Sequence, residues 1–375
     1  MRLAELRTPC ALVDLDVLER NCARMSARAK RLGVKLRPHV KTHKCVDIAR
    51  IQTRGQSGAI TVSTLAEARA FASGGFLDIT YAVPVPFPAI PEAADLLRQG
   101  VHLKLLLDHD ATLRELETFG SAQDVSFPVF LKVDCGYHRA GVDPLREESA
   151  AFASRVARSP HLKLEGILTH AGHAYRCRGP EEVRQVAEQE REVMAGFAAK
   201  LRSAGVLVPG VSAGSTPTCC TAEDWTGVTE VRPGNYAFFD AFQGAMGSCS
   251  LADALAFTVL ATVIGHYPER GTFLLNAGAL ALSKDPGPVH LDPHCGFGIP
   301  CDLSGKPIQG LRLTSLSQEH AEVEVSAPGL CTHFPLGSLL RIIPNHSCLA
   351  AACFERYRVL RDGEVVDEWR TERGW

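Results

Sequence analysis

The chain has 375 residues, 46% apolar and 22% charged, the balance of an ordinary globular protein long enough for one large domain and a smaller one. Forty Lys and Arg against 42 Asp and Glu leave a net charge of −2, so there is no basic excess for nucleic acid or an anionic membrane, and a small-molecule substrate is expected. Met1 to Arg7 lacks the apolar core of a secretion signal and no run of about eighteen apolar residues occurs, which predicts a cytoplasmic protein. Thirteen Cys, an odd number, predict reduced and mostly buried thiols, and the neighbours Cys219 and Cys220 would bridge only with strain.

Residues 14–33 read as a helix, because Leu18, Cys22, Met25, Ala29 and Leu32 recur at three- and four-residue spacing and Gly33 suits its end. Strand patterns then alternate with helical ones. The strands cover 34–40, 59–63, 78–83, 103–108, 129–135, 164–170, 210–215 and 228–234; the helices cover 64–73, 90–99, 111–119, 149–157 and a long 180–205. In the long one Val183, Val186, Met194, Phe197 and Leu201 share a face, and Gly205 follows as a stop. Eight strand–helix units in about 220 residues match a closed barrel better than an open doubly wound sheet. Lys41, Ser63, Asp108, Asp134, His170, Ser215 and Arg232 stand where these strands end, the rim at which such a barrel places its chemistry. After about Ala245, runs at 255–265, 271–281, 310–316, 322–326, 339–344 and 357–360 are β-rich and split by Gly and Pro. The expectation is an α/β protein, a (β/α)8 barrel over residues 12–245 with a second, smaller β-rich domain over 246–375, which residues 1–11 join unless they lead into the barrel.

Lys41 lies at the exit of the first barrel strand. A lone lysine there is most often a solvated charge, so it gains weight only from other parts of the chain. The small and hydroxyl residues of 211–218, Ser215 among them, suit a phosphate cradle, and a second such turn, Arg232 to Tyr236, ends the next strand. Adjacent loops after strands seven and eight of a barrel are a common phosphate site. A strand-end lysine with a phosphate grip is the arrangement pyridoxal 5'-phosphate needs. Arg139 then stands where it would pair with the cofactor's phenolate oxygen, the alternative being a surface salt bridge. His170 would lie against the ring, and Arg232, a permanent cation, would donate to the pyridine nitrogen. In the β-rich part, His346 and Cys348 would share one side of an extended segment and are zinc-type ligands, two of which leave positions open for water or substrate. Gln318-Glu319-His320 offers a third ligand or an outer partner.

Arg37-Pro38-His39-Val40-Lys41-Thr42-His43-Lys44, Val62 to Ala68, Asp134-Cys135-Gly136, Arg139 to Val142, Gly214 to Pro217, Pro233-Gly234-Asn235-Tyr236, Gln318-Glu319-His320, Pro344 to Cys348 and Arg373-Gly374-Trp375 occur in this order. Together they resemble the D-serine dehydratase group, a zinc- and pyridoxal-phosphate-dependent branch of the alanine-racemase-like (fold type III) enzymes, which also holds D-threonine aldolases and D-threo-3-hydroxyaspartate dehydratases. The resemblance runs nearly end to end. It implies that Lys41 binds the cofactor and is catalytic, that Tyr175, Thr216, Gly234 and Asn235 contact the cofactor, and that His346 and Cys348 hold Zn2+ or another divalent metal. It also implies a head-to-tail homodimer. The implied reaction is β-elimination of water from a D-3-hydroxy amino acid to a 2-oxo acid and ammonia. Aldol cleavage to glycine and an aldehyde is the near alternative; a racemase fits less well, since it needs a second base and no metal. From other classes come a non-catalytic pyridoxal-phosphate carrier, which would lack the β domain and the His-x-Cys pair, and a structural metal-binding module. His173, in the segment His170 to Tyr175, marks a position suited to setting substrate preference.

Overall fold

The computed structural model describes residues 1–327 and 329–375. They form two compact units, one of Met25–Lys41, Ile48–Gly234 and Glu372–Trp375, the other of Met1–Arg24, Thr42–Asp47 and Asn235–Thr371. The chain thus leaves the first unit after Lys41 and again after Gly234, and residue 245, the expected domain boundary, lies within the second.

In chain order the strands begin with β1 (Cys10–Asp14), which belongs to the second unit. Eight follow in the first: β2 (Lys35–Leu36), β3 (Ile60–Val62), β4 (Asp78–Pro84), β5 (His102–Leu107), β6 (Phe127–Lys132), β7 (Leu162–Leu168), β8 (Gly210–Ala213) and β9 (Glu230–Val231). They make one parallel sheet in the order β2-β9-β8-β7-β6-β5-β4-β3. A parallel bridge from His39 to Thr61, with Thr61 N–H donating to Pro38 C=O at 2.9 Å, joins the two ends and closes the ring. β2 and β9 are only two residues long, and each is followed within two residues by a proline, Pro38 or Pro233, which cannot donate to a ladder. Helices alternate with these strands as the periodicity predicts. The long one runs Pro180–Ser203, with proline and two glutamates in its first turn and Lys200 and Arg202 in its last, as the helix dipole favours.

Charge fills part of the ring's interior at its seam. Arg37, just past β2, is buried; its Nε donates to Glu230 Oε2 at 2.8 Å and its Nη1 to Asp78 Oδ1 at 2.8 Å. Lys104 on β5 also bonds Asp78, and Ser212 on β8 donates to Glu230 Oε1 at 2.6 Å. Burial pushes both carboxyls up, yet the guanidinium outweighs it, holding Asp78 at about 2 and Glu230 below the usual carboxylate range.

In the second unit the later strands are β10 (Phe257–Tyr267), β11 (Thr272–Leu275), β12 (Gly298–Cys301), β13 (Leu311–Leu316), β14 (Ala321–Val325), β15 (Leu339–Pro344), β16 (Arg356–Arg361) and β17 (Glu364–Arg370). With β1 they form a mixed sheet ordered β13-β14-β11-β10-β1-β16-β17, in which β15 also pairs β10 and β12, and only β1 and β16 run parallel. The expected strand at 271–281 is shorter: β11 stops at Leu275 and Ala279–Leu282 is a helical turn. Gly278 forces that change, because a Cβ there would lie 2.5 Å from Gln318 O and His320 N. Two strands escaped the sequence reading. β12 contains Pro300 and tolerates it because the Pro300 carbonyl, and with it the missing N–H, faces away from β15, accepting from Ile308 N at 2.9 Å. β17 is polar and mostly exposed, but Asp362 and Gly363, both left-handed, turn the chain from β16 into it, an Asp-Gly hairpin signal visible in the sequence. All thirteen cysteines are described, and no disulfide joins any of them, Cys219 and Cys220 included.

Arg37→Met should cost about 3–5 kcal/mol in a denaturant titration, since it strands two carboxylates among buried groups. Depressed carboxyls stabilise the fold above their unfolded values near 4 and lose that contribution as pH falls. The stability gap between the wild type and Arg37→Met should therefore narrow as pH is lowered from about 5 to about 2.

Candidate active site

Pro38 ends β2 and throws the chain into a helical turn, Val40–Thr42, on which the Lys41 side chain is exposed at the strand ends of the first unit. Two half-buried imidazoles face it. His39 and His170 are held well below the ordinary histidine value, chiefly by burial and then by the charge of Lys41; Arg232 opposes protonation of both, and Lys132 and Arg139 that of His170. Lys132, the last residue of β6, is buried and pushed down to about 7 by burial and by Arg232 and Arg139. Basic side chains thus crowd both rings, Lys41 and Arg232 at His39 and these with Lys132 and Arg139 at His170. Of the two buried carboxylates nearby, Glu230 is already taken up by Arg37 and Ser212, and Glu190 by backbone amides. An anion completes such a site, and a cofactor carrying a phosphate and a phenolate fits its donor set.

The loops at this rim are tightly specified. Asp134 accepts from Gly136 N and His138 N, each at 2.9 Å, and meets His138 Nδ1 at 2.8 Å; Asp108 Oδ2 accepts from Gly141 N at 2.8 Å. Between these anchors Arg139 is exposed, with its guanidinium 5.0 Å from the Tyr137 ring centroid. That ring stacks on His173 and meets His170 edge-on, both at 6.3 Å, and leaves no room for a side chain at Gly172, where a Cβ would sit 2.3 Å from it. Tyr175 lies half-buried on the turn Gly172–Arg176. Ser215 caps the short helix Thr216–Thr221, its Oγ 3.0 Å from Thr218 Oγ1, and both Ser215 and Thr216 are buried. Arg232 commits Nη1 to Ser212 Oγ at 2.6 Å and Ala213 O at 3.4 Å, and Nη2 to Thr169 O. Gly234 ends this unit.

The second unit holds the sulfur and imidazole. They do not lie on an extended segment: β15 stops at Pro344, His346 is the N-cap of the turn Ser347–Ala351, and this strand-to-helix corner, not a two-residue period, brings His346 and Cys348 into hydrogen-bond contact. Pro344 and the Asp240 carboxylate explain the corner. Asp240 Oδ2 accepts from Ser347 N at 2.9 Å, Ser347 Oγ at 3.1 Å and Asn235 Nδ2 at 2.7 Å. Burial works against charge on both His346 and Cys348, but each partner's opposite charge prevails, raising the imidazole and lowering the thiol. His346 Nδ1 meets Asp285 Oδ2 at 3.0 Å, while Cys348 Sγ lies 3.3 Å from Thr42 Oγ1 and 3.6 Å from Asn235 Nδ2. Asn235 Oδ1 is buried without a protein partner among the described residues. Gln318–His320 is an exposed turn, and among the described residues no group of three or more His, Cys, Asp or Glu stands ready to hold a metal ion. An imidazole oriented by a carboxylate beside a thiolate fits a zinc-type ion with open positions.

Residues 13–241 match the family model of the alanine racemase N-terminal domain, and residues 256–360 that of a serine dehydratase domain. This chain belongs to the alanine racemase N-terminal domain family. It is 41% identical over 377 residues to D-threo-3-hydroxyaspartate dehydratase of Delftia sp. (strain HT23), covering 100% of this chain and 99% of that one. It is 36% identical to D-serine dehydratase of Dictyostelium discoideum, covering 99% and 98%, and 30% identical to D-threonine aldolase of Arthrobacter sp, covering 98% and 92%. The solved Delftia enzyme superposes with a TM-score of 0.95 at 40% identity over 100% of both chains, so the fold is the alanine-racemase-like one with its β-rich second domain. Two solved variants of D-threo-3-hydroxyaspartate dehydratase, TM-scores 0.96 and 0.94, replace a histidine and, in a metal-free form, a cysteine two residues further on, the spacing of His346 and Cys348.

Sequence reasoning missed His39, Lys132, Glu190, Asp240 and Asp285. His39 sits at a predicted strand end and was within its reach; Lys132 falls mid-way in the predicted strand 129–135 and becomes a strand end only because β6 stops there; Glu190, Asp240 and Asp285 lie far along the chain from the groups they hold. Asp134→Ala should release the loop that carries Arg139, speeding hydrogen exchange at the Gly136 and His138 amides by about tenfold or more while the barrel amides keep their protection.

Proposed function

We propose that this family member is a pyridoxal-phosphate-dependent lyase that eliminates water from a D-3-hydroxy amino acid, giving a 2-oxo acid and ammonia. The observation that carries the reading is the end-to-end likeness to two dehydratases, one named for D-threo-3-hydroxyaspartate and one for D-serine. The cation-rich rim around Lys41 and the His346–Cys348 corner support it. When bound, the cofactor on Lys41 supplies a sink for the electron pair left at Cα, and Zn2+ or another divalent metal on His346 and Cys348 supplies a Lewis acid for the departing hydroxyl.

The chain's own groups do the rest. Lys41 Nζ is the base assigned to the α-proton. His39 and His170, kept neutral, pack beside the ring without adding charge, and Arg139 faces the phenolate side. Arg232 would meet the ring nitrogen, and as a permanent cation it would donate a hydrogen bond there rather than a proton. Ser215, Thr216 and Gly234 line the phosphate side, with Tyr175 and Asn235 as further contacts. Asp285 holds the Nδ1 hydrogen of His346, which leaves Nε2 as the metal-binding nitrogen. Thr42, next in the chain after Lys41, and Asn235 donate toward the Cys348 sulfur.

We take the working form as a cytoplasmic homodimer acting on a free amino acid; thirteen cysteines without a disulfide suit a reducing compartment, and no described helix is long and apolar enough to cross a membrane. The aldolase relative favours a second outcome, carbon–carbon cleavage. Assays of D-serine, D-threonine and D-threo-3-hydroxyaspartate separate the two: oxo acid with ammonia is expected, and glycine with an aldehyde as the sole product would overturn the dehydratase reading. Lys41→Ala should lose the visible absorption band that added pyridoxal phosphate gives the wild type. Chelation should abolish activity, with zinc restoring it; undiminished turnover in metal-free protein would remove the metal from the reading.

A further inference from the structure

Glu190 lies midway along the helix Pro180–Ser203 and is fully buried. Its Oε1 accepts from Ala171 N at 3.2 Å and from Gly214 N at 3.0 Å. Ala171 follows His170 on the loop after β7, and Gly214 precedes Ser215 on the loop after β8. Direct backbone contact between the two chains reaches only as far as Thr169 N–H donating to Ser212 C=O at 3.0 Å. Past that point one carboxylate spans them. Arg232 does the complementary work, taking the carbonyls of Thr169 and Ala213 while Glu190 takes the amides.

The arrangement is demanding. A carboxyl removed from water is unfavourable unless fixed donors meet it, and burial raises this one against the pull of the two amides and Arg232. Gly214 cannot hold the loop by a side chain of its own: its φ is +85°, and a Cβ there would lie 2.7 Å from Cys219 Sγ. The loop after β8 is held locally by the Ser215 cap on Thr218, and at Gly214 from outside by Glu190.

We propose that Glu190 is a positioning residue for the cofactor, a single acceptor that locks the loop bearing His170 to the loop bearing Ser215 and Thr216, so that the ring and phosphate sides of the cradle keep one spacing. This rests on the reading that pyridoxal phosphate binds at these loops.

The test is titration of apoprotein with pyridoxal phosphate itself, followed by absorbance, alongside the melting temperature of each apoprotein. Glu190→Ala should raise the dissociation constant by about tenfold or more, two hydrogen bonds being lost. Glu190→Gln, which retains an acceptor oxygen for both amides, should stay within about threefold of the wild type. Glu190→Asp, one methylene short of spanning both loops, should weaken binding with little change in apoprotein melting, and it decides the matter if the alanine variant does not fold. Unchanged affinity in Glu190→Asp or Glu190→Ala overturns the inference, as does a Glu190→Gln protein that loses affinity and melting temperature in parallel with alanine. Wild-type apoprotein that takes up no pyridoxal phosphate overturns the functional reading itself, a result distinct from normal uptake by all variants.

Discussion

A guanidinium closes the barrel. Parallel strands have no hairpins to hold them, and the seam of this ring is its weakest place, because β2 and β9 offer two ladder residues each before a proline intervenes. Arg37 compensates by reaching across the interior to Glu230 on β9 and Asp78 on β4, and Asp78 and Glu230 recruit Lys104 and Ser212 in turn. Buried ion pairs often gain little net stability over apolar packing, but they are directional and choose one register. The register matters here because Lys41 is four residues further along the same segment. Once Arg37 is fixed and Pro38 and the His39 bridge follow, the turn that presents Lys41 has little freedom.

Beyond the seam, the rim is organised by an excess of positive charge. Burial first, then the charges of Lys41, Lys132, Arg139 and Arg232, hold His170 well below the ordinary histidine value, and the buried carboxylates are spent on the scaffold. Such an arrangement favours an anionic ligand, so on the proposed reading cofactor binding would add to the stability of the fold. Glu190 and Arg232 serve the scaffold in opposite senses, one collecting amides and the other carbonyls from the same two loops.

The second unit uses the same economy of backbone capture. Asp240 holds the corner after β15 through Ser347 and Asn235, and the corner presents His346 and Cys348 to one another. Asp285 orients the imidazole from a loop some sixty residues earlier, 3.0 Å from Nδ1.

Much of this was legible from residue order. Period-two apolar runs alternating with 3.6-period ones named the barrel, and polar residues at strand ends suggested the rim proposed here as active. The motifs at Lys41, 214–217 and His346 to Cys348 suggested the chemistry proposed, because such signals are local and a side chain's direction follows from its own backbone. Partnerships across the chain were not legible. Arg37 with Glu230, Glu190 with Gly214 and Asp285 with His346 join residues whose separation in sequence carries no periodic signature, and burial alone makes such charges commit to one another. The His346–Cys348 pair shows both halves at once: the residue types suggested a metal site, which stays a proposal, while the bend that brings imidazole to sulfur came from Pro344, Asp240 and Ser347, whose hydrogen bonds exist only once the distant segments have packed.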